Sequence, residues 1–283
     1  MSKIVNIINA GGMSATPLIL DLYPDTEYFY SPNRGGANTT DVVQGRNNQN
    51  NFQDFTPEEL EDVTFSAFAS GGGVRVRKLY NQGTVNRTFE QTTAVDMPNL
   101  GNPDLYKFND KIFMSGVERN SFIETDSKST LLDSDSTVYL VFRSESQTLQ
   151  GVQGVFEETQ GNQRRIAIYS DTRNFNFRHS NFVPDGAPNF ISFTSQQPTE
   201  TIRLYALRRT GNLVEAFDEN GLVGSITSSD SFGGNALFVL FRQTAGPRFF
   251  RGHVAELMIR KKSDTNTDLN TIINHRKEFY GIN

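Results

Sequence analysis

The chain has 283 residues, 36% hydrophobic and 21% charged, with a net charge of −5, 23 phenylalanines, 9 tyrosines, no tryptophan and no cysteine. That length supports one large buried core. The missing cysteines exclude disulfides, thiolate metal sites and cysteine nucleophiles, and the acidic balance has the wrong sign for a nucleic-acid partner. No run approaches the roughly 20 apolar residues of a membrane span, and Met1–Asn9 is too short and too interrupted by polar residues for a signal peptide, so neither membrane insertion nor export is expected.

Residues 1–22 form a first unit. Ile4, Val5, Ile7 and Ile8 make a short apolar strand-like piece, isolated by Gly11-Gly12 from Pro17-Leu18-Ile19-Leu20. It reads either as the first strand of the following domain or as an anchoring arm that pairs with a neighbouring subunit. Residues 23–283 read as one domain. The polar run Gln44–Asn51 predicts a hairpin tip or loop, and Thr56-Pro57-Glu58-Glu59 carries a cap, a proline at the first helical position and the closing glutamate of a capping box, predicting a turn or two of helix. Val74–Tyr80 then alternates as a strand, entered through Gly71-Gly72-Gly73.

From residue 110 onward, short strands recur between turn signals such as Gly161-Asn162, Thr210-Gly211-Asn212 and Glu219-Asn220-Gly221. Many short strands at even spacing predict an antiparallel jelly-roll sandwich, and phenylalanine suits its half-buried surfaces. Val138–Phe142 and Leu237–Phe241 are apolar on both faces and are expected to be central. After the strand 248–260, Thr265 and Asp268 open a helix with Leu269, Ile272, Ile273, Phe279 and Tyr280 on one side, closed by Gly281. Within it Arg276 is expected to bury its stem and keep its head in water, with His275 pointing elsewhere.

Chemistry is sparse. The pairs Arg164-Arg165, Arg208-Arg209 and Lys261-Lys262 read as solvated strand ends. Glu157-Glu158 and Glu215 with Asp218 are the carboxylate pairs a glycanase would need, and they too read as solvated charges. His179, His253 and His275 are in no metal-ligand spacing, and His253 is expected to be a hydrogen-bonded packing residue. No catalytic constellation is found, so no enzymatic activity is expected.

Two stretches resemble a known family. Phe250–Ile259, a polar loop and a helix closing on Phe279-Tyr280-Gly281-Ile282 look like the end of concanavalin A-like lectin/glucanase domains of the laminin-G type, common in bacterial and phage proteins. Thr56–Leu60, Leu79-Tyr80-Asn81-Gln82-Gly83 and Met97-Pro98 resemble a helix, a turn and a following segment found in phage fibre proteins and in the catalytic domain of some fungal arabinofuranosidases. Leu79 and Asn81 stand where that pattern has tryptophan and aspartate, which favours a structural turn over a metal or catalytic role.

The resemblance implies a concanavalin A-like antiparallel jelly-roll sandwich with an N-terminal arm and a C-terminal helix. It further implies a non-enzymatic structural protein of a bacteriophage virion: a head-fibre, capsid-decoration or tail-associated subunit made in the host cytoplasm. Its expected partners are other virion proteins and further copies of itself, anchored through Ile4, Val5, Ile7 and Ile8. Lectins of this fold bind sugars with loop Asp and Asn side chains, sometimes around calcium. Asp126, Asp133 and Asp135 flank one such loop here, and Asn174, Asn176, His179 and Asn181 crowd another, the candidate site for weak host-glycan binding. No cofactor is expected, calcium being an unsupported alternative. A stand-alone lectin module and a glycoside hydrolase are the rival readings.

Overall fold

The computed structural model describes residues 17–37, 40–101, 104–117, 121–125, 135–145, 153–160, 163–171, 174–179, 190–193, 200–227, 237–243 and 248–283; the side chains of 153–154, 157–160, 163–171, 174–179, 190–193, 237, 243 and 248 are not described. A one-turn helix α1 (Ile19–Leu22) opens it, then β1 (Tyr28–Tyr30), the hairpin β2 (Val43–Arg46) and β3 (Phe52–Phe55), and helices α2 (Pro57–Glu61) and α3 (Val63–Ala69). Next come β4 (Val74–Tyr80), β5 (Thr88–Glu90), β6 (Asn99–Gly101), the hairpin β7 (Lys107–Phe108) and β8 (Lys111–Ile112), β9 (Met114–Ser115) and β10 (Ile123–Thr125). The longer strands are β11 (Ser136–Ser144), β12 (Gln153–Gln160), β13 (Gln163–Asp171), β14 (Asn174–His179), β15 (Phe190–Phe193), β16 (Ile202–Thr210), β17 (Leu213–Asp218) and β18 (Gly221–Thr227). The last are β19 (Leu237–Leu240), β20 (Arg242–Gln243), β21 (Arg248–Phe249), β22 (Gly252–Arg260) and helix α4 (Asn266–Tyr280).

All strands except the β7–β8 hairpin join one hydrogen-bonded network of 20 strands. Its first half runs β1-β22-β11-β16-β17-β18. The second runs β3-β2-β4-β5-β10-β19-β12-β13-β14-β15. β9 and β6 connect the halves, bridging β22 to β4.

The halves pack face to face because alternate residues of each are apolar. Val138, Leu140 and Phe142 of β11 and Leu257 and Ile259 of β22 meet Val74, Val76, Phe89, Phe156 and Leu240 of the other half in one core. The Tyr30 and Phe89 rings lie 4.6 Å apart edge to face, and Tyr28 and Phe238 5.9 Å, each such pair adding about 0.5–1.5 kcal/mol beyond burial. Helices α2 and α3 contribute Leu60, Phe65 and Ala69 to this core. The capping box expected at Thr56 and Glu59 is formed.

The other faces of β11 and β22 are buried as well, although β22 carries His253, Glu256 and Arg260. Tyr139 and Val141 of β11, Leu204 and Ala206 of β16 and Met258 of β22 form a second core, closed by Leu269, Ile272, Ile273 and Tyr280 of α4. Burying each of these large apolar side chains contributes about 1.5–3 kcal/mol. Thr265 caps α4 by accepting from the Asp268 amide at 3.1 Å, and Gly281 ends it in the left-handed region at φ 61°. Residues 17–22 belong to this layer. Ile19 is fully buried in it, and the His275 ring contacts the Pro17 carbonyl oxygen at 2.5 Å. The anchor residues Ile4, Val5, Ile7 and Ile8 lie outside the described residues.

Candidate functional site

With α4 over one half, the outward face of the other half becomes the place to look for function. Its composition follows from strand alternation. On β4, Val74, Val76 and Leu79 point inward and are fully buried, leaving Arg75, Arg77, Lys78 and Tyr80 half-buried on the outside. A bulge makes this possible: Gln44 faces Lys78 and Gly45 faces Val76, so Arg77 is the extra residue and two consecutive cations share one face. Gly45 is required beneath, since a Cβ there would stand 2.8 Å from Val74 Cγ1 and 3.0 Å from the Phe55 ring.

One row of this face crosses five strands as Asp54, Gln44, Lys78, Glu90 and Glu124. Asp54 accepts from Gln44 at 2.9 Å and from the Tyr80 hydroxyl at 2.6 Å; burial, with Asp54 beside it, raises the Tyr80 pKa. Glu90 takes Arg77 at 3.4 Å and stands directly opposite Glu124. A second row reads Phe52, Arg46 and Arg75. Arg46 is held by the Asn50 side chain and Arg75 by the Ala94 carbonyl at 2.7 Å, while the Arg77 guanidinium lies 4.5 Å from the centre of the Phe52 ring, which is 47% exposed. This end of the face is open, aromatic and charged.

Several other charged clusters are internal, while Arg34–Glu58 and Lys107–Glu61 pair at the surface. Arg276 and Glu256, each 1% exposed, pair at 2.8 Å beneath α4, with the Tyr280 hydroxyl donating to the same carboxylate at 2.9 Å. The expectation that Arg276 reaches solvent is therefore corrected, because Glu256 projects from β22 under the helix and neutralises it. His275 is also buried. It takes Arg276 Nη2 on Nδ1 at 2.7 Å and directs Nε2 at Pro17.

Arg208 and Arg209 are not solvated either. Arg208 is 9% exposed and bonds Glu215 at 2.8 Å, the Asp264 carbonyl at 2.9 Å and Asn266 at 2.7 Å, tying the hairpin to the start of α4. Arg260 joins Asp264 at 2.5 Å and Asp25 at 2.8 Å, and Tyr139 donates to Asp264 at 2.7 Å. So Glu215 is an ion-pair partner, and Asp218 caps the following turn by accepting from the Asn220 amide at 2.7 Å.

His253 sits between the Tyr106 and Phe108 rings, 5.3 and 4.8 Å away, and burial, with Arg143 nearby, lowers its pKa to about 3. It is therefore neutral, and its Nδ1 lies 3.2 Å from Glu145 without hydrogen-bond geometry, which corrects the expected bond. Of the candidate glycan loop, Asn174, Asn176 and His179 fall on the backbone of β14, and Asn181, Asp126 and Asp133 lie outside the described residues. Asn174 to His179 is thus a strand, not a loop. Asp135 accepts from the Gly211 amide at 2.7 Å.

The turn at Asn81-Gln82-Gly83 is structural. Asn81 accepts from the Phe29 amide at 2.7 Å and donates to the Glu27 carbonyl at 2.8 Å. Gln82 donates to Ser31 and Asn33 carbonyls at 2.7 and 2.9 Å and accepts from the Gly35 amide at 2.7 Å. A Cβ on Gly83 would meet the Glu27 carbonyl oxygen at 2.6 Å. No group of three or more metal-ligating side chains occurs among the described residues. Sequence reading missed the Arg46–Arg75 and Glu90–Glu124 pairs because each is joined only by strand register.

The two packed halves and their outer helix define a concanavalin A-like β-sandwich. No family model and no curated protein matches the sequence. Among solved structures, an arabinofuranosidase complexed with arabinofuranosyl-α-1,2-xylobiose superposes with a TM-score of 0.59 at 12% identity, over 91% of this chain and 63% of that one. A mutant GH54 α-L-arabinofuranosidase soaked with 4-nitrophenyl α-L-arabinofuranoside gives 0.59 at 12% identity, over 88% and 62%. The receptor-binding domain of botulinum neurotoxin D gives 0.52 at 9% identity, over 83% and 52%. The chain thus spans little more than half to three-fifths of the length of these proteins. At such identities the likeness is one of fold.

Proposed function

We propose that the protein is a non-enzymatic structural subunit of a bacteriophage virion, a head-fibre, decoration or tail-associated protein, whose sandwich weakly binds host-surface glycans. The observation that carries the glycan part is the open end of the outer face, where the exposed Phe52 ring stands beside Arg46, Arg75 and Arg77. An aromatic ring flanked by fixed polar groups is what a weak sugar site needs. Support also comes from the folds it resembles, two of them in glycoside-processing enzymes. The phage part rests on the resemblance of the two sequence stretches to phage fibre domains. The first unit, residues 1–22, would supply the anchor, Ile4, Val5, Ile7 and Ile8 adding to or packing on a neighbouring virion protein. Cross-linking mass spectrometry on purified particles tests this: links from Lys3 to a capsid or tail protein are expected, and absence of the protein from particles refutes it.

Glu90 and Glu124 favour a second reading. Residues directly opposite on antiparallel strands have Cβ atoms about 4.5–5.5 Å apart, and a retaining glycosidase needs two carboxyl groups about 5–5.5 Å apart. A hydrolase would release arabinose or another sugar from an aryl glycoside, and Glu90→Gln or Glu124→Gln would abolish that release. No turnover by the unaltered protein leaves the binding reading in place.

A further inference from the structure

The geometry points to an anionic glycan, one bearing carboxylate or phosphate groups, as the ligand of the Phe52–Arg46–Arg75 row. This inference rests on the glycan reading and names its ligand class. Three features of the fold converge. First, Arg46 and Arg75 are direct cross-strand partners. Like charges in that position are destabilising, and the protein as a whole carries net charge −5, so two facing guanidiniums run against both the local and the global balance. Second, the bulge in β4 turns Arg77 onto the same face rather than into the core, where it lies over the Phe52 ring and pairs with Glu90 at 3.4 Å, leaving Arg46 and Arg75 as the facing cations of the row. Bulges that re-aim one side chain are concentrated beside binding sites. Third, the row ends in Phe52, opposite Arg46 and exposed on the edge strand.

Dimensions agree. Adjacent strands are about 4.8 Å apart, so a sugar ring resting on Phe52 extends its substituent over Arg46 and Arg75 on the next two strands. A guanidinium offers five N–H donors in a planar fork that matches a carboxylate or a phosphate, and two of them facing each other can bracket one such group. Glu90 and Glu124, on the far side of β4, repel the same anion and so bias its position toward β2 and β3.

The test is calorimetric titration of the full chain with trigalacturonate, with a glycerol-phosphate trimer and with neutral galactotriose. At least one anionic probe is expected to bind about tenfold or more tighter than galactotriose, a gap of about 1.4 kcal/mol, and the tighter of the two identifies carboxylate or phosphate as the recognised group. That preference is expected to shrink as salt rises from roughly 0.05 to 0.5 M and to vanish in the double variant Arg46→Gln, Arg75→Gln. Both arginines lie on the surface, and an unchanged melting temperature verifies that the variant is folded. Equal affinity for the anionic and neutral probes, or an undiminished preference in the double variant, overturns the inference. If galactotriose binds as well as the anions and Phe52→Ala abolishes all binding, the glycan reading survives without this ligand class. If no probe binds and a broad glycan array is also blank, the glycan reading falls with it.

Discussion

Arg276 and Glu256 occupy the centre of the seam between α4 and the sheet, each fully buried, with Glu256 Oε1 and Arg276 Nε making no hydrogen bond. A buried pair of this kind is costly to break from one side, since the survivor is left as an uncompensated charge. Arg276→Met is therefore expected to cost about 3–5 kcal/mol in urea unfolding, and adding Glu256→Gln to recover most of it, because Tyr280 can still donate to the amide oxygen. An additive double variant would show that the two residues do not act as a pair. His275 gives a second prediction. Its Nδ1 accepts from Arg276, so its proton lies on Nε2, toward Pro17; a second proton would set two donors against each other. Burial and then Arg276 lower its pKa below 6.5, and burial and Arg143 lower that of His253 to about 3. Both folded-state values are depressed, so the folded state binds fewer protons than the unfolded chain. The stability due to neutral histidine is complete above about pH 6.5 and is lost as pH falls toward the folded values. Between pH 6.5 and 5 the loss from His253 is expected to approach about 1.4 kcal/mol per pH unit, with His275 adding in the same direction. His275→Gln, which keeps a donor for Pro17 but cannot titrate, is expected to lose less stability between pH 7 and 5 than the unaltered protein; urea midpoints at pH 7 and 5 in both proteins decide it.

At the scale of elements, periodicity was a good guide and polarity a poor one. The apolar runs of β11 and β19 put both strands in the interior of the sheet, and the cap, apolar stripe and closing glycine of α4 lie where sequence reasoning puts them. What could not be read were partners: nothing in the spacing of Glu256 and Arg276 says that a helix and a strand will bring them together out of water, whereas Arg208 and Glu215 meet directly across the β16–β17 hairpin. The open outer row was hidden for the same reason, since Arg46 and Arg75 become neighbours only through the β2–β4 register, and the β4 bulge has no sequence signature. The element that closes the second core should matter for stability in proportion to what it buries. Ile272→Ala, in the middle of the α4 contact, is expected to lower unfolding free energy by about 2–5 kcal/mol. Thr265→Ala, which removes only the cap, should cost about 1 kcal/mol. Comparable costs would mean that α4 is held by its end and not by its face.

For the whole molecule, protection should follow position in the sheet. Amide hydrogen exchange is expected to be slowest in β11 and β22, which are hydrogen-bonded on both edges and covered on both faces, and fast in the edge strand β3. Exchange in β3 as slow as in β11 would mean that another chain covers that edge. The pairing of β1 with β22 has a further consequence. Tyr28 sits opposite Ile259 and Tyr30 opposite Leu257, so two partners are separated by more than four-fifths of the polypeptide. β11 likewise waits for β22 as its neighbour. During synthesis on the ribosome, more than two hundred residues emerge before the strand that completes the first half of the sheet exists. Until then β1 and the β22-facing edge of β11 leave backbone N–H and C=O groups without their native partner, and the nascent chain depends on chaperones or on speed to avoid pairing with other chains.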